Sequence, residues 1–226
     1  MKPRFAVMLA FMLAFSGVCL SFCSFKQAGK KDQTINWILH ELYPSSPDIL
    51  KISGNPQIVK SPYGKAVSFD GERDGIFLDQ MPLAGLYAFT VEVLVFFAEG
   101  GNFEQRFLHI GEVNGPRMLL EIRATETDWY FDAFFKSEED QLTLINPDLL
   151  HPLGQWYHVA FVVDHGRLVS YVNGVKELEG RIEQVPLAKG KTSIGVRQNE
   201  VAWFKGAIRQ IRITEKALEP EAFLNF

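Results

Sequence analysis

The sequence predicts an all-β protein, a two-sheet antiparallel β-sandwich, and three observations carry that prediction. Apolar residues alternate with a period of two through much of the chain, Gly, Pro and Asn interrupt it at short intervals, and helical periodicity is almost absent. The residue supply fits, since nineteen Phe, six Tyr and four Trp suit pleated, half-buried surfaces.

Taken in order, strands are expected at Ala66–Phe69, Gly75–Leu78 and Ala88–Phe97. In the last of these Phe89, Val91, Val93, Val95 and Phe97 fall on one face, and Thr90, Glu92, Leu94 and Phe96 on the other. Arg106–Ile110, Met118–Arg123, Trp129–Phe135 and Gln141–Leu144 follow. Trp156–Val163 is a second long run; a turn at Asp164-His165-Gly166 leads into Arg167–Val172. Asn173-Gly174 then predicts a type I′ hairpin into Val175–Leu178, because both central residues of that turn need φ > 0. Thr192–Val196 and Phe204–Ile213 complete the strands, and Pro220 is suited to open a single helical turn near the end.

The first residues read differently. Lys2 and Arg4 precede an uncharged apolar run, Phe5 to Val18, and the chain turns polar at Lys26-Gln27. That is the pattern of a secretory signal, with Ser21 and Cys23 as small residues at a cleavage site; an uncleaved anchor is the alternative. Leu20-Ser21-Phe22-Cys23 holds only part of a lipidation pattern. The expected organisation is a signal peptide over 1–23, a polar tether over 24–33 and one domain over 34–226, with export to the periplasm, cell surface or medium. Both cysteines lie in the signal, so the domain has no internal disulfide. The formal net charge of −4 with scattered Lys and Arg argues against a nucleic-acid partner. Contact with a membrane is expected only through the N-terminal segment or an attached lipid.

Three segments carry a family resemblance. Gly64-Lys65-Ala66-Val67-Ser68-Phe69-Asp70-Gly71 is followed by Phe89-Thr90-Val91-Glu92. Trp156-Tyr157-His158-Val159-Ala160 leads to Tyr171-Val172-Asn173-Gly174. Ile194-Gly195 precedes Phe204-Lys205-Gly206-Ala207-Ile208, Ile211-Arg212-Ile213 and Ala217-Leu218. In this order they resemble the laminin G-like branch of the concanavalin A-like jelly rolls, widespread in exported bacterial proteins. The resemblance implies a sandwich with one open, concave face. Some members bind calcium at the rim, which makes Asp70 and Asp74 candidate ligands, although Asp70-Gly71 is equally a turn signature. Where many members carry an acidic pair after the F-x-G-x-I run, this chain has Arg209 and Gln210.

The fold does not settle the chemistry. The two-carboxylate strand motif of a retaining glycosidase is missing, as are G-x-S-x-G, H-E-x-x-H and paired C-x-x-C. What stands out is polar residues within strands: His109, Glu121, Arg123, Tyr130, Asp132 and His158, with Arg197 and Trp203 nearby. Lining one concave face, they would suit a saccharide, with aromatics against sugar C–H faces and charged groups on hydroxyls or uronate carboxylates. Solvent-facing polar residues are also what an antiparallel sheet ordinarily shows, and His158 in particular reads as well as a hydrogen-bonded structural histidine. Trp156, opening a long apolar strand, is expected in the core; Trp129 and Trp203 stand between core and ligand platform. The leading expectation is a non-catalytic module binding a polysaccharide or glycoconjugate. The alternatives are a polysaccharide lyase on the same fold, using Arg against a uronate carboxylate with His or Tyr moving protons, and an envelope protein-interaction domain.

Overall fold

The computed structural model describes residues 33–225. The expected signal peptide, and all of the tether except Gln33, lie outside the described residues. In chain order the strands begin with β1 (Thr34–Ile38), β2 (Ile49–Ser53), β3 (Gln57–Ser61), β4 (Gly64–Asp70), β5 (Gly75–Leu78) and β6 (Ala88–Phe97). The middle of the chain forms β7 (Glu104–Gly111), β8 (Arg117–Ala124), β9 (Asp128–Lys136), β10 (Gln141–Ile145) and β11 (His151–Pro152). The last are β12 (Gln155–Asp164), β13 (Arg167–Val172), β14 (Val175–Arg181), β15 (Lys191–Ile194) and β16 (Lys205–Thr214).

They form two antiparallel sheets of eight strands. The first runs β14-β13-β12-β6-β16-β4-β3, with β1 also on β16; the second runs β10-β9-β8-β7-β15-β5-β2, with β11 on β9. Strand β16 serves two neighbours along one edge: Lys205 to Ile208 pair with β4, and Gln210 to Thr214 pair with β1. A register shift against β6 between Ile208 and Gln210 separates the two halves. An extra residue there bends the strand and strengthens its twist.

The core lies between the sheets and follows the predicted alternation. From the first sheet come Val91, Val93, Val95 and Phe97 of β6 with Val159, Phe161 and Val163 of β12, all fully buried. The second sheet answers with Met118, Leu120 and Ile122 of β8 and Trp129, Ala133 and Phe135 of β9. At its centre Phe97 meets Trp129, Phe107 and Phe204 at ring-centroid distances of 4.2, 5.5 and 5.9 Å. Each such ring contributes about 1.5–3 kcal/mol through burial.

The hairpin at Asn173-Gly174 forms as predicted, with φ of 50° and 76°. His165 and Gly166 take the same conformation in the turn before it. Pro220 opens a 3-10 turn, Pro220–Ala222. Strands β1 to β3 and the short helix Leu39–Leu42 were not predicted. Strands β2 and β3 end their sheets and leave Leu50 and Ile58 51% and 45% exposed, so their apolar residues do not mark a single buried face.

Candidate functional site

The outer face of the second sheet is built from side chains that the register sets in rows. One row is His109, Leu119, Phe134 and Thr143; the next is Arg106, Glu121, Asp132 and Ile145; a third is Glu104, Arg123 and Tyr130. Opposite charges across neighbouring strands bond directly. Arg106 donates from Nε to Glu121 Oε1 at 2.8 Å and also pairs with Glu104. Arg123 reaches Asp132 Oδ2 at 2.6 Å, Glu104 Oε1 at 2.9 Å and Glu121 Oε2 at 3.6 Å. Glu121 and Asp132, ladder partners on β8 and β9, form the floor of a depression of about 150 Å³ whose walls include Arg117, Phe134 and Arg197.

Burial, with the Asp132 carboxylate beside it, pushes Glu121 up to about 7 despite its two arginines. Burial likewise raises Asp132. His109 moves the other way, down to about 3, because it is fully enclosed and faces the positive charges of Arg197, Arg117 and Arg106. Its ring is a strut: Nδ1 accepts the Gln198 N–H at 3.2 Å, so Nε2 donates to the Glu112 carbonyl at 3.0 Å. Neither nitrogen is left for a ligand.

These two groups give stability slopes of opposite sign. A carboxyl raised to about 7 loses stability as pH rises from the ordinary carboxylate range toward 7; a histidine depressed to about 3 loses it as pH falls from about 6.5. Between pH ~4.5 and ~6.5 the slopes offset. Glu121→Gln removes one of them, so its melting temperature should rise more steeply with pH across this interval than that of the unsubstituted protein. A scan of melting temperature against pH checks this; parallel curves would contradict it.

The eight expected ligand residues do not share one face. His109, Glu121, Arg123, Tyr130 and Asp132 stand on the second sheet, and Arg197 reaches their depression from the loop before β16. Trp203, half-buried, packs over Gly75, where an added Cβ would lie 3.3 Å from its ring. His158 corrects the expectation outright, because β12 pairs with β6 in the first sheet and carries it to the opposite side of the sandwich. There it bonds Glu92 Oε1 through Nε2 at 3.0 Å. Glu92, with no exposed surface, also accepts Arg212 Nε at 2.5 Å and the Leu224 N–H at 2.7 Å. Burial alone would raise Glu92; the bonds from His158, Arg212 and Leu224 overcome it and hold the carboxyl below its ordinary value.

Asp70 and Asp74 are occupied by the loop that contains them. Asp70 Oδ1 accepts the N–H groups of Glu72, Arg73 and Asp74, and its Oδ2 lies 3.3 Å from Arg73 Nε. Asp74 accepts the N–H groups of Asn55 at 2.7 Å and Asp70 at 3.1 Å. With all four oxygens turned to donors, the pair as placed does not fit a calcium ion, which needs free carboxylate and carbonyl oxygens. Among the described residues no group of three or more His, Cys, Asp and Glu has a metal-binding arrangement.

The first sheet carries a feature that the sequence reading missed. Gln57, Ser68, Ala207, Phe96 and Trp156 form one row across β3, β4, β16, β6 and β12 on its outer face. The small side chains of Ser68 and Ala207 leave a trough of about 440 Å³ beside Phe96 and Trp156, flanked by Lys60 and Lys205. Phe96 and Trp156 lie 5.8 Å apart at 45°, and Tyr63 meets Trp156 edge-on at 5.8 Å. Trp156 is therefore a half-buried surface residue, and Trp129, fully buried, is the core one. The alternation already implied this, since Tyr157, Val159, Phe161 and Val163 point inward. The outer positions Ala160 and Val162 read as core as well because Tyr171 and Phe223 cover them in a second apolar cluster.

Comparison with known proteins agrees with this architecture. No curated protein sequence matches the chain. Among solved structures, domain 4 of the GH43 extracellular arabinanase AbnA of Geobacillus stearothermophilus, in complex with arabinotriose, is similar at 23% identity and TM-score 0.57, over 74% of this chain and 79% of that one. The SAP-like pentraxin of Limulus polyphemus shares 18% identity at TM-score 0.56, over 69% and 77% of the two chains. The botulinum neurotoxin serotype D binding domain shares 16% at 0.56, over 76% of this chain and 43% of its own. At these identities the likeness is one of fold. A family model for the concanavalin A-like lectin/glucanases superfamily matches residues 70–222, which span strands from both sheets, and the chain belongs to that superfamily.

Proposed function

We propose that the protein is an exported, non-catalytic glycan-binding module whose ligand lies in the trough beside Trp156. The observation that carries this reading is the aromatic wall itself: Phe96 and Trp156 stand together on an outer sheet face beside a floor of small side chains, with Tyr63, from the turn between β3 and β4, edge-on to the indole. A volume of about 440 Å³ falls within the range of small-molecule sites, which combine an apolar lining with a few polar groups. The half-exposed indole offers an apolar surface to sugar C–H groups, while Lys60, Lys205 and Ser68 supply hydrogen bonds to hydroxyls. The likeness to an arabinanase domain in complex with arabinotriose supports a glycan as the ligand class.

Affinity electrophoresis through gels containing soluble polysaccharides tests this. At least one polymer should retard the protein, and Trp156→Ala should migrate nearly as it does without polymer, since the indole supplies the large amphipathic contact area of the trough. Equal retardation of the variant, or no retarding polymer at all, would sink the reading; the second outcome would favour the protein-interaction alternative. Absorbance of unsaturated products, followed in the same mixtures, tests the lyase alternative, and its growth would replace binding by catalysis.

A further inference from the structure

The depression on the second sheet holds a set of polar groups that the fold itself does not satisfy. Glu121 and Asp132 are 2% and 1% exposed, yet among the described residues Glu121 Oε2 and Asp132 Oδ1 accept no hydrogen bond, Oε2 having only the 3.6 Å ion pair with Arg123. Above them Arg117 and Arg197 are each tied down by one guanidinium nitrogen: Arg117 Nη1 donates to the Gly115 carbonyl at 2.7 Å and Arg197 Nη2 to the Val113 carbonyl at 2.9 Å. Phe134 supports the Arg117 guanidinium from below at 4.9 Å. The Nε of each arginine is buried without a partner, and neither arginine has an ion-pair partner among the described residues.

Buried polar groups are nearly always paired, and orphans of both kinds on the residues that line one hollow indicate what would complete them. Two fixed guanidiniums call for an anion, which they bind best as a carboxylate or similar planar group. Two carboxylate oxygens call for hydrogen-bond donors. Arg106 and Arg123 already neutralise most of the floor's negative charge, so the donors need not be cationic. The hollow, at about 150 Å³, is about a third the size of the Trp156 trough and suits a single sugar residue.

We propose that this depression is a second ligand site, taking one carboxylate-bearing sugar residue, with its carboxylate between Arg117 and Arg197 and its hydroxyls donating to Glu121 and Asp132. The two like charges of Arg117 and Arg197 fit this role: burial, and then Arg197, weaken the hold of Arg117 on its proton, a strain that a bridging carboxylate relieves. The site is on the opposite sheet from the Trp156 trough and does not depend on it.

Isothermal titration of the purified chain with D-glucuronate, N-acetylneuraminate, D-glucose, L-glutamate and acetate provides the test. At least one acidic sugar should bind, glucose and acetate should not, and Arg117→Gln and Arg197→Gln should each weaken the acidic sugar by roughly tenfold or more, the loss expected for one charged hydrogen bond. Glu121→Gln, which keeps the shape of the floor, should weaken it less. Binding by neither acidic sugar, equal binding of glucose, or binding that survives both arginine substitutions overturns the proposal. Tighter binding of glutamate than of either sugar overturns it too, by making the pocket an amino-acid site. Acidic-sugar binding in a protein that no polysaccharide gel retards would uphold this site while removing the trough reading, so the two fail separately.

Discussion

Replacing Glu92 with alanine is expected to destabilise the protein by about 3–5 kcal/mol, the usual cost of removing one partner of a buried charge network. Three donors converge on this carboxylate from three parts of the chain: His158 on β12, Arg212 on β16 and the Leu224 N–H beyond the last strand. Without it, His158 and the Leu224 amide lose this acceptor, and Arg212 keeps, among the described residues, its bond to the Ala222 carbonyl. The chain after β16 loses one of its attachments as well, because Leu224 is bonded to Glu92, beside Phe223, which packs on His158 and Tyr171 at 5.6 and 5.1 Å. Urea denaturation measures the loss, and limited proteolysis should cut the variant near its C-terminus faster. The sign of the pH dependence follows from the depressed pKa. Glu92 contributes stability that is complete above the ordinary carboxylate range and disappears as pH falls through its lowered folded value. Acid unfolding should accordingly be shallower in Glu92→Ala than in the unsubstituted protein. A change under 1 kcal/mol, with an unaltered acid limb, would show that the network adds nothing to stability.

The two central tryptophans should respond in opposite ways. Trp129→Ala removes a ring with no exposed surface, packed against Phe97 at 4.2 Å, His151 at 4.8 Å and Tyr157 at 5.0 Å. A cavity at this point should cost about 3–5 kcal/mol, as for other buried aromatic deletions. Trp156→Ala removes a half-exposed ring that meets Phe96 and Tyr63 among the aromatics of the described residues, and should cost about 1 kcal/mol or less. Denaturation of both variants beside the gel assay separates structure from binding: the first should lose stability, the second should lose polysaccharide. Equal stability losses would place Trp156 in the core after all.

Alternation reaches only part of the way to placing these two residues. In β12 the phase of the inward set was legible from Tyr157, Val159, Phe161 and Val163, but both faces of the strand are apolar, and a strand covered on both sides has no visible outside. What covers the second face is Phe223, sixty-odd residues later, and no local pattern announces that contact. Glu121 and Asp132 were recognisable as polar residues on the outer faces of β8 and β9, each from its own strand. That they are ladder partners over one hollow depends on the register of the β8–β9 pair. Arg117 escaped notice because it lies just before the expected strand start, and its importance comes from the loop that brings Arg197 to it. His158 was correctly seen as polar within an apolar strand and assigned to the wrong side of the molecule, since alternation fixes a residue's face within its strand and says nothing about which sheet the strand joins.

The sequence by itself determined that this is a two-sheet β-sandwich of the concanavalin A-like kind, where most of its strands lie and where its Asn-Gly hairpin turns, because strand periodicity and turn chemistry are local properties of a few adjacent residues. Only the tertiary structure decided which polar side chains meet, that the Trp156 trough and the Glu121–Asp132 depression occupy opposite sheets, and that Asp70 and Asp74 are engaged by their own loop. Those outcomes depend on strand order and register, which are set by packing between residues far apart in the chain.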